Sequence, residues 1–143
     1  MSMDDIAYMD IAKVVAMYST CKRLNVGAVI VKDKRIISTG YNGAPAGLLH
    51  CTHDDLTPCE RAVHAEVNTI AFAAKHGIST NEAVLYSTHL PCLSCAQIII
   101  NAGIKEVNYG NEYRNKEGKD LLWEAEIHTN KIRGSRVFNV STE

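Results

Sequence analysis

The sequence predicts one α/β domain in which helices cover both faces of a sheet. Strand-like and helix-like patterns alternate along the chain, an order typical of layered α/β folds. With 143 residues, 46% of them apolar, the chain is long enough to enclose a core and a small-molecule pocket. No repeat, low-complexity run or linker interrupts it, so we expect a single domain over residues 1–143.

Hydrophobic periodicity places the elements in order. Apolar residues spaced i, i+3, i+4 and i+7 predict a first helix over about residues 4–21, and two apolar runs around a turn predict a hairpin. Residues 40–58, rich in Gly and Pro, predict a long ordered loop of the kind that usually carries function. Trp123 is expected in the core, on the last helix. The predicted strands are 26–31, 35–38, 83–86, 107–109 and 136–140. The later helices are 63–76, one that begins at the Pro-Cys motif and includes 95–102, and 120–127.

Charge and composition exclude several classes of partner. A net charge of -1, from 15 basic and 16 acidic residues, provides no positive field for a phosphate backbone, which disfavours nucleic acid. Residues 1–5 lack the features of a signal peptide, and no apolar run approaches membrane-spanning length, so we expect a cytoplasmic protein without a membrane partner. Five cysteines without a secretion signal favour metal ligation or buried thiols over disulfides.

Three potential metal ligands are His64, Cys92 and Cys95. Two cysteines at i and i+3 of a helix start place both sulfurs on one side, where the helix N-terminus stabilises their thiolates. A catalytic zinc usually takes three protein ligands and leaves a fourth position for water, whose pKa it lowers to about 7. Glu66 would then carry protons between that water and a substrate.

Each of these residues alone would more often be a packed core residue, but the combination is specific. A His-x-Glu element followed by Pro-Cys-x-x-Cys is the signature of zinc deaminases. A purely structural zinc is the remaining alternative, and Glu66 argues against it because a closed site needs no carboxylate so near the metal.

With this signature the chain resembles the cytidine deaminase-like superfamily and, within it, the bacterial and phage branch of the deoxycytidylate (dCMP) deaminases. The resemblance covers most of the chain and implies a three-layer α/β/α fold with a central mixed sheet of five strands. The further motifs that carry it are Ser19-Thr20-Cys21, Val26-Gly27-Ala28, Gly40-Tyr41-Asn42-Gly43-Ala44-Pro45, Cys59 and Ala102-Gly103-Ile104-Lys105.

The resemblance implies hydrolysis of dCMP to dUMP and ammonia, which supplies thymidylate synthesis. It also implies a homo-oligomer, typically a hexamer, with dCTP as activator and dTTP as inhibitor. The setting would be the cytoplasm of a bacterium or of an infected host cell. Under this reading His64, Cys92 and Cys95 bind the catalytic zinc, and Glu66 protonates N3 of cytosine and then the departing ammonia.

The resemblance also implies residues that contact nucleotides. Asn42 would bind the deoxyribose or base, Tyr113 would lie near the phosphate, and Arg23 is another candidate phosphate contact. A turn formed with Gly43 is the alternative for Asn42, a packed loop tyrosine for Tyr113 and a surface arginine for Arg23. The motif Gly40, Tyr41, Asn42 and Gly43 is the candidate effector site.

A second, structural zinc is predicted from the other three cysteines, which match cysteine positions of this branch. Cys21, Cys51 and Cys59 with His53 would complete a closed four-ligand site, His50 being the rival fourth ligand. Such a site would order a loop that has few apolar residues, and buried thiols are the alternative.

Other functions stay open beside dCMP deamination. The same chemistry would serve a deaminase that also accepts deoxycytidine triphosphate, or a polynucleotide (tRNA) deaminase. A non-catalytic nucleotide-binding or competence-associated protein could keep the fold, although intact Glu66 weighs against it. His76, His89 and His128 are assigned no functional role.

Overall fold

The computed structural model describes residues 2–21, 23–50, 60–113 and 115–138. Within these ranges, one helix precedes a β-hairpin, and helices and strands alternate after it. The helices are α1 (Met3–Ala16), α2 (Ala65–Lys75), α3 (Leu93–Asn101) and α4 (Glu117–Glu124), and the strands are β1 (Gly27–Lys32), β2 (Arg35–Tyr41), β3 (Val84–His89), β4 (Glu106–Asn111) and β5 (His128–Lys131). None of the described helices has the length and apolarity needed to cross a bilayer.

The strands form one five-stranded sheet in the order β2-β1-β3-β4-β5. β1 runs antiparallel to both β2 and β3, whereas β3, β4 and β5 run parallel. A parallel pair needs a crossover connection, and α3 and α4 provide the two crossovers. The mixed five-stranded sheet implied by the family resemblance is therefore confirmed.

Apolar side chains are buried on both faces of this sheet, which produces the predicted three layers. On one face α1 packs through Met9 and Ala12 against Val29 and Tyr86. On the other face α2, α3 and α4 cover a larger core. Its buried members include Ile30, Leu85, Ile99, Val107 and Leu122.

Two glycines allow helices to approach the hairpin closely. A Cβ on Gly27 would collide with the carbonyl oxygen of Ala12 in α1. A Cβ on Gly40 would lie 2.6 Å from the backbone nitrogen of Thr69 in α2. Because neither position has room for a side chain, both faces of the hairpin pack directly against helix backbone.

The predicted last strand, 136–140, is wrong, and β5 lies earlier, at His128–Lys131. Residues 136–138 form bends, while 139 and 140 lie outside the described residues. The cause is buried Asp10 of α1, which accepts hydrogen bonds from Ser135 Oγ at 2.6 Å and from the Arg136 backbone nitrogen at 2.9 Å. These contacts commit the segment to α1 instead of the sheet.

The predictions for two helices also need correction. α1 ends at Ala16, before the predicted residue 21, and α4 begins at Glu117 instead of 120. Trp123 is 81% exposed on α4, so its assignment to the core is wrong. Leu122 is the buried residue of this turn, and the side chain of the next residue in a helix points about 100° away from it.

Candidate active site

Two helix starts, those of α2 and α3, bring the three predicted metal ligands together. His64 is the N-cap of α2, Cys92 is the N-cap of α3, and Cys95 lies in the first turn of α3. His64 Nδ1 lies 3.2 Å from Cys95 Sγ and 3.4 Å from Cys92 Sγ, and all three ligand atoms lie within 4.8 Å of one another. Within the described ranges this is the one such group of three or more His, Cys, Asp or Glu side chains.

These distances suit a tetrahedral zinc ion. Zn–N and Zn–S bonds of about 2.0–2.3 Å place neighbouring ligand atoms roughly 3.3–3.8 Å apart. The two His64–sulfur distances lie close to this range. A nitrogen and two sulfurs are also the ligand types that zinc prefers.

The electrostatics of the two cysteines are strongly coupled. Hydrogen bonding with Cys95, opposed by partial burial and reinforced by bonds with His64 and Ser94, lowers the pKa of Cys92 to about 3. The bond to Cys92, burial and the charge of Glu66 raise the pKa of Cys95. One sulfur is therefore ionised at neutral pH and would attract a divalent cation, whose binding would displace the proton of the other sulfur.

Glu66 lies beside this group without belonging to it. It is 4% exposed, and Ser87 Oγ of β3 donates a hydrogen bond to its Oε1 at 2.8 Å. The Cys95 thiol donates to its Oε2 at 3.6 Å. Burial raises the pKa of Glu66 above its ordinary value, and a backbone hydrogen bond and the Ser87 bond offset only part of this. A buried carboxyl with a raised pKa is protonated more readily than an exposed one, which suits a group that both accepts and donates protons.

A cavity adjoins the metal-ligand group and collects the other predicted site residues. It is bordered by His64, Glu66 and Cys92 and also by Arg23, Asn42 and Tyr113. Arg23, Asn42 and Tyr113 come from three separate loops or strand ends, so the fold alone brings them together. Their contact with a nucleotide remains a prediction.

The amide of Asn42 already makes two hydrogen bonds within the protein. Its Oδ1 accepts from the Val26 backbone nitrogen at 2.8 Å, and its Nδ2 donates to the Leu24 carbonyl at 2.6 Å. The side chain therefore holds residues 24–26 as one wall of the cavity. One Nδ2 hydrogen remains for a bound molecule.

The candidate effector motif is divided among three environments. Gly40 packs against α2, Asn42 borders the cavity, and Gly43 pairs with Val63 in an isolated β-bridge. Tyr41 is 42% exposed and stacks on Tyr18, with ring centroids 6.2 Å apart. Of these four residues, Asn42 is the one that borders the cavity.

Only some of the predicted ligands of the second zinc lie within the described residues. Cys51, His53 and Cys59 lie outside the described residues. Cys21 is buried and borders the cavity. The rival ligand His50 is close to it in the fold, because its Nδ1 lies 3.2 Å from Oγ1 of the adjacent Thr20.

Sequence reasoning missed two residues of the site. Ser87 holds Glu66, and His89 borders the cavity at the end of β3. Both lie just before the Pro-Cys motif, and their spacing of two places them on the same side of a strand. From this alternation, the sequence could have predicted that His89 lies at the site.

Comparison with known proteins agrees with this arrangement. Residues 2–111 match the family described as the cytidine and deoxycytidylate deaminase zinc-binding region. ComE operon protein 2 of Bacillus subtilis is 43% identical, over 82% of this chain and 64% of its own length. The chain thus spans less than two thirds of that relative.

Two phage proteins match over nearly their full lengths. The deoxycytidylate deaminase of Enterobacteria phage T4 is 34% identical, over 92% of this chain and 87% of its own. The crystal structure of dCMP deaminase from the cyanophage S-TIM5 in complex with dCMP and dUMP has a TM-score of 0.87 and 36% identity, covering 92% of this chain and 99% of that one. With the family match and the fold in agreement, this chain belongs to the cytidine and deoxycytidylate deaminase family.

Proposed function

We propose that this chain is a zinc-dependent deaminase that hydrolyses dCMP to dUMP and ammonia. The observation that carries the proposal is the placement of buried Glu66 beside the His64, Cys92 and Cys95 group at the wall of a cavity. The named activity of the phage T4 relative supports dCMP as substrate. So does the likeness to a cyanophage enzyme crystallised with dCMP and dUMP.

His64, Cys92 and Cys95 would hold the zinc, whose chemistry is Lewis-acid activation of water at neutral pH. Glu66 would accept one proton from the attacking water and deliver it to N3 of the cytosine. It would then carry the proton of the new C4 hydroxyl to the amine, which leaves as ammonia while the C4 carbonyl forms. Its raised pKa suits this exchange, because the protonated form that donates to the substrate is reached more readily than in an exposed carboxyl. The Ser87 hydroxyl keeps the carboxyl oriented during both transfers.

The cavity offers contacts for the rest of the nucleotide. Arg23 is exposed at its border and is permanently charged, which suits the 5′-phosphate. Tyr113 would add a hydroxyl near the same group, and the remaining Nδ2 hydrogen of Asn42 would face the sugar or base. The resulting site favours a nucleotide over a free nucleoside.

A second zinc held by Cys21, Cys51, Cys59 and either His53 or His50 belongs to the same proposal. The closeness of His50 to the segment of Cys21 supports His50 as a ligand. Metal analysis of the purified protein would return two zinc ions per chain. One zinc per chain would reject this second site.

Assembly and regulation are the remaining parts of the proposal. A homo-hexamer activated by dCTP and inhibited by dTTP is inferred from the family, with residues 40–43 as the effector motif. Light scattering of the protein in solution and activity titrations with both triphosphates would test these properties. A monomer that is indifferent to both nucleotides would contradict them.

A second candidate function rests on the match to ComE operon protein 2, which carries no enzyme name. Under this alternative the chain binds nucleotides without deaminating them. Glu66 would then be a buried carboxyl with no chemical role and a cost in stability.

Ammonia release separates these functions. The zinc-loaded protein is incubated with dCMP, dCTP, CMP, deoxycytidine and tRNA, with Glu66→Ala as control. We expect release from dCMP that the substitution abolishes while zinc content is unchanged. Release from dCTP or tRNA at a comparable rate would redefine the substrate, and no release from any of them would favour the non-catalytic alternative.

A further inference from the structure

A chain of hydrogen bonds ends on His89, at the border of the cavity. The Gly27 backbone nitrogen donates to Thr88 Oγ1 at 3.2 Å, and Thr88 Oγ1 lies 2.9 Å from His89 Nδ1. Thr88 is 4% exposed, so water has little access to its hydroxyl. The hydroxyl hydrogen must therefore find its acceptor among these protein groups.

This geometry selects one form of the His89 ring. Thr88 Oγ1 already accepts from Gly27, and the near atom to which it can donate is His89 Nδ1. An imidazole nitrogen that accepts a hydrogen bond carries no hydrogen, so the ring hydrogen is on Nε2 and the ring is neutral. Burial, which lowers the pKa of His89, acts in the same direction.

The position of His89 relative to Glu66 indicates which part of the cavity the Nε2–H group of His89 adjoins. Ser87 contacts Glu66, and His89 lies two residues further along β3, on the same side of the strand. The segment is held in place because Asn111 Nδ2 donates to the Thr88 carbonyl at 2.8 Å and the Leu90 nitrogen donates to the Asn111 carbonyl at 2.9 Å. His89 is thus a fixed neutral donor beside the reacting end of the cavity.

We propose that His89 donates a hydrogen bond from Nε2 to the carbonyl oxygen of the pyrimidine, and that Thr88 is the positioning residue that sets its tautomer. This inference rests on the proposed function. A neutral donor suits a neutral carbonyl, whereas the charged Arg23 suits the phosphate. Because the product keeps this carbonyl, the contact persists from substrate to product.

The tautomer is tested first, in a way that needs no activity. Nitrogen-15 spectra of the zinc-loaded protein report which ring nitrogen of each histidine carries hydrogen, and His89→Gln assigns the signal. We expect a neutral ring protonated at Nε2 in the unsubstituted protein and in Thr88→Ser, and mixed tautomers in Thr88→Val. A ring that is protonated at Nδ1, or charged at neutral pH, would overturn the proposal.

The contact is tested by the Kd of dUMP and the KM and kcat for dCMP. His89→Gln retains an N–H near the Nε2 position, and His89→Met has a similar shape without a donor. We expect His89→Met to raise Kd and KM roughly two- to tenfold, the worth of one neutral hydrogen bond, with kcat nearly unchanged. His89→Gln should stay close to the unsubstituted protein, and equal effects of the two substitutions would reject the contact.

Failure of the proposed function and failure of the His89 contact would give different results. If the unsubstituted protein releases no ammonia from dCMP, the proposed function fails, while the tautomer and dUMP binding still decide the role of His89. Melting temperature and zinc content are measured for every variant. If a His89 substitution lowers the melting temperature or the zinc content, dUMP binding is compared between Thr88→Val and Thr88→Ser instead. Thr88→Val should then have the higher Kd.

Discussion

Some side chains of the site have surroundings set by nearby residues in the sequence, and others have surroundings set by distant ones. His64, Cys92 and Cys95 lie at or just inside helix starts, so periodicity and spacing were enough to group them. The tautomer of His89 depends on Gly27, which is 61 positions from Thr88 in the chain, and no local pattern encodes that contact. Local chemistry could be predicted, whereas the hydrogen-bond partners that tune it could not.

Glu66→Gln isolates the proton-carrying role at this scale. The amide keeps the size of the side chain and can still accept from Ser87, but it cannot exchange a proton. We expect ammonia release from dCMP to fall by at least about a hundredfold, with zinc content unchanged, because general acid–base catalysis contributes about that much or more. Steady-state rates and metal analysis check this, and a variant that keeps a tenth of the activity would contradict it.

Among the elements, the hairpin, α2, α3 and β4 agree with the periodicity of the sequence, and the C-terminal segment does not. Residues 136–140 have a strand-like alternation, but buried Asp10 accepts hydrogen bonds from the Ser135 hydroxyl and the Arg136 backbone nitrogen. The competing contact is tertiary, and it comes from the opposite end of the chain. A pattern of residues within a short stretch of sequence cannot predict this tertiary contact.

Asp10→Asn tests this contact and its pH dependence. Burial alone would raise the pKa of Asp10, but hydrogen bonds from Ser135 and the Arg136 backbone outweigh it and leave the pKa below the ordinary 3.8. Asparagine keeps only one acceptor oxygen, so its Nδ2 would face either the Arg136 nitrogen or the Ser135 hydroxyl, and one of the two hydrogen bonds to Asp10 would be lost. We expect the free energy of unfolding at pH 7 to fall by about 1–3 kcal/mol, measured by urea denaturation.

The sign of the pH effect follows from the lowered pKa. The ionised carboxylate stabilises the fold fully at pH values above 3.8, and this contribution is lost as the pH falls through the lower folded-state pKa. The difference between Asp10→Asn and the unsubstituted protein should therefore shrink in acid. A difference that is constant from pH 7 to the acid range would show that the charge of Asp10 is not involved.

For the molecule as a whole, the three-layer order could be predicted from alternating patterns, while the assembly of the cavity could not. Its walls come from segments near residues 23, 42, 64, 90 and 113, and only the completed sheet brings them together. Arg23 and Tyr113 were expected at the site from family resemblance alone. Periodicity carries no information on such distances.

Zinc removal should lower global stability, because the ion would join the starts of α2 and α3. At a free zinc concentration about a thousand times Kd, binding adds roughly 4 kcal/mol, which corresponds to a Tm change of roughly 8–16 °C for a domain of this size. We expect a strong chelator to lower the Tm by that amount. Cys92→Ser should have a lower Tm than the parent protein before chelation and a smaller Tm change on chelation, because only the second zinc would remain to be removed. An unchanged Tm in the parent protein would contradict a tightly held zinc.

The order of the strands also has a consequence for the speed of folding. β1 and β2 are joined by a two-residue turn, so this pairing closes a very short loop, whereas β3 and β4 pair residues such as Val84 and Glu106 across a whole helix. Hairpins form in roughly 1–10 μs, and pairings between distant residues are slower. The cavity forms only when both the β1–β2 and the β3–β4 pairings are in place. During refolding, the hairpin amides should therefore become protected from hydrogen exchange first, and nucleotide binding should return last.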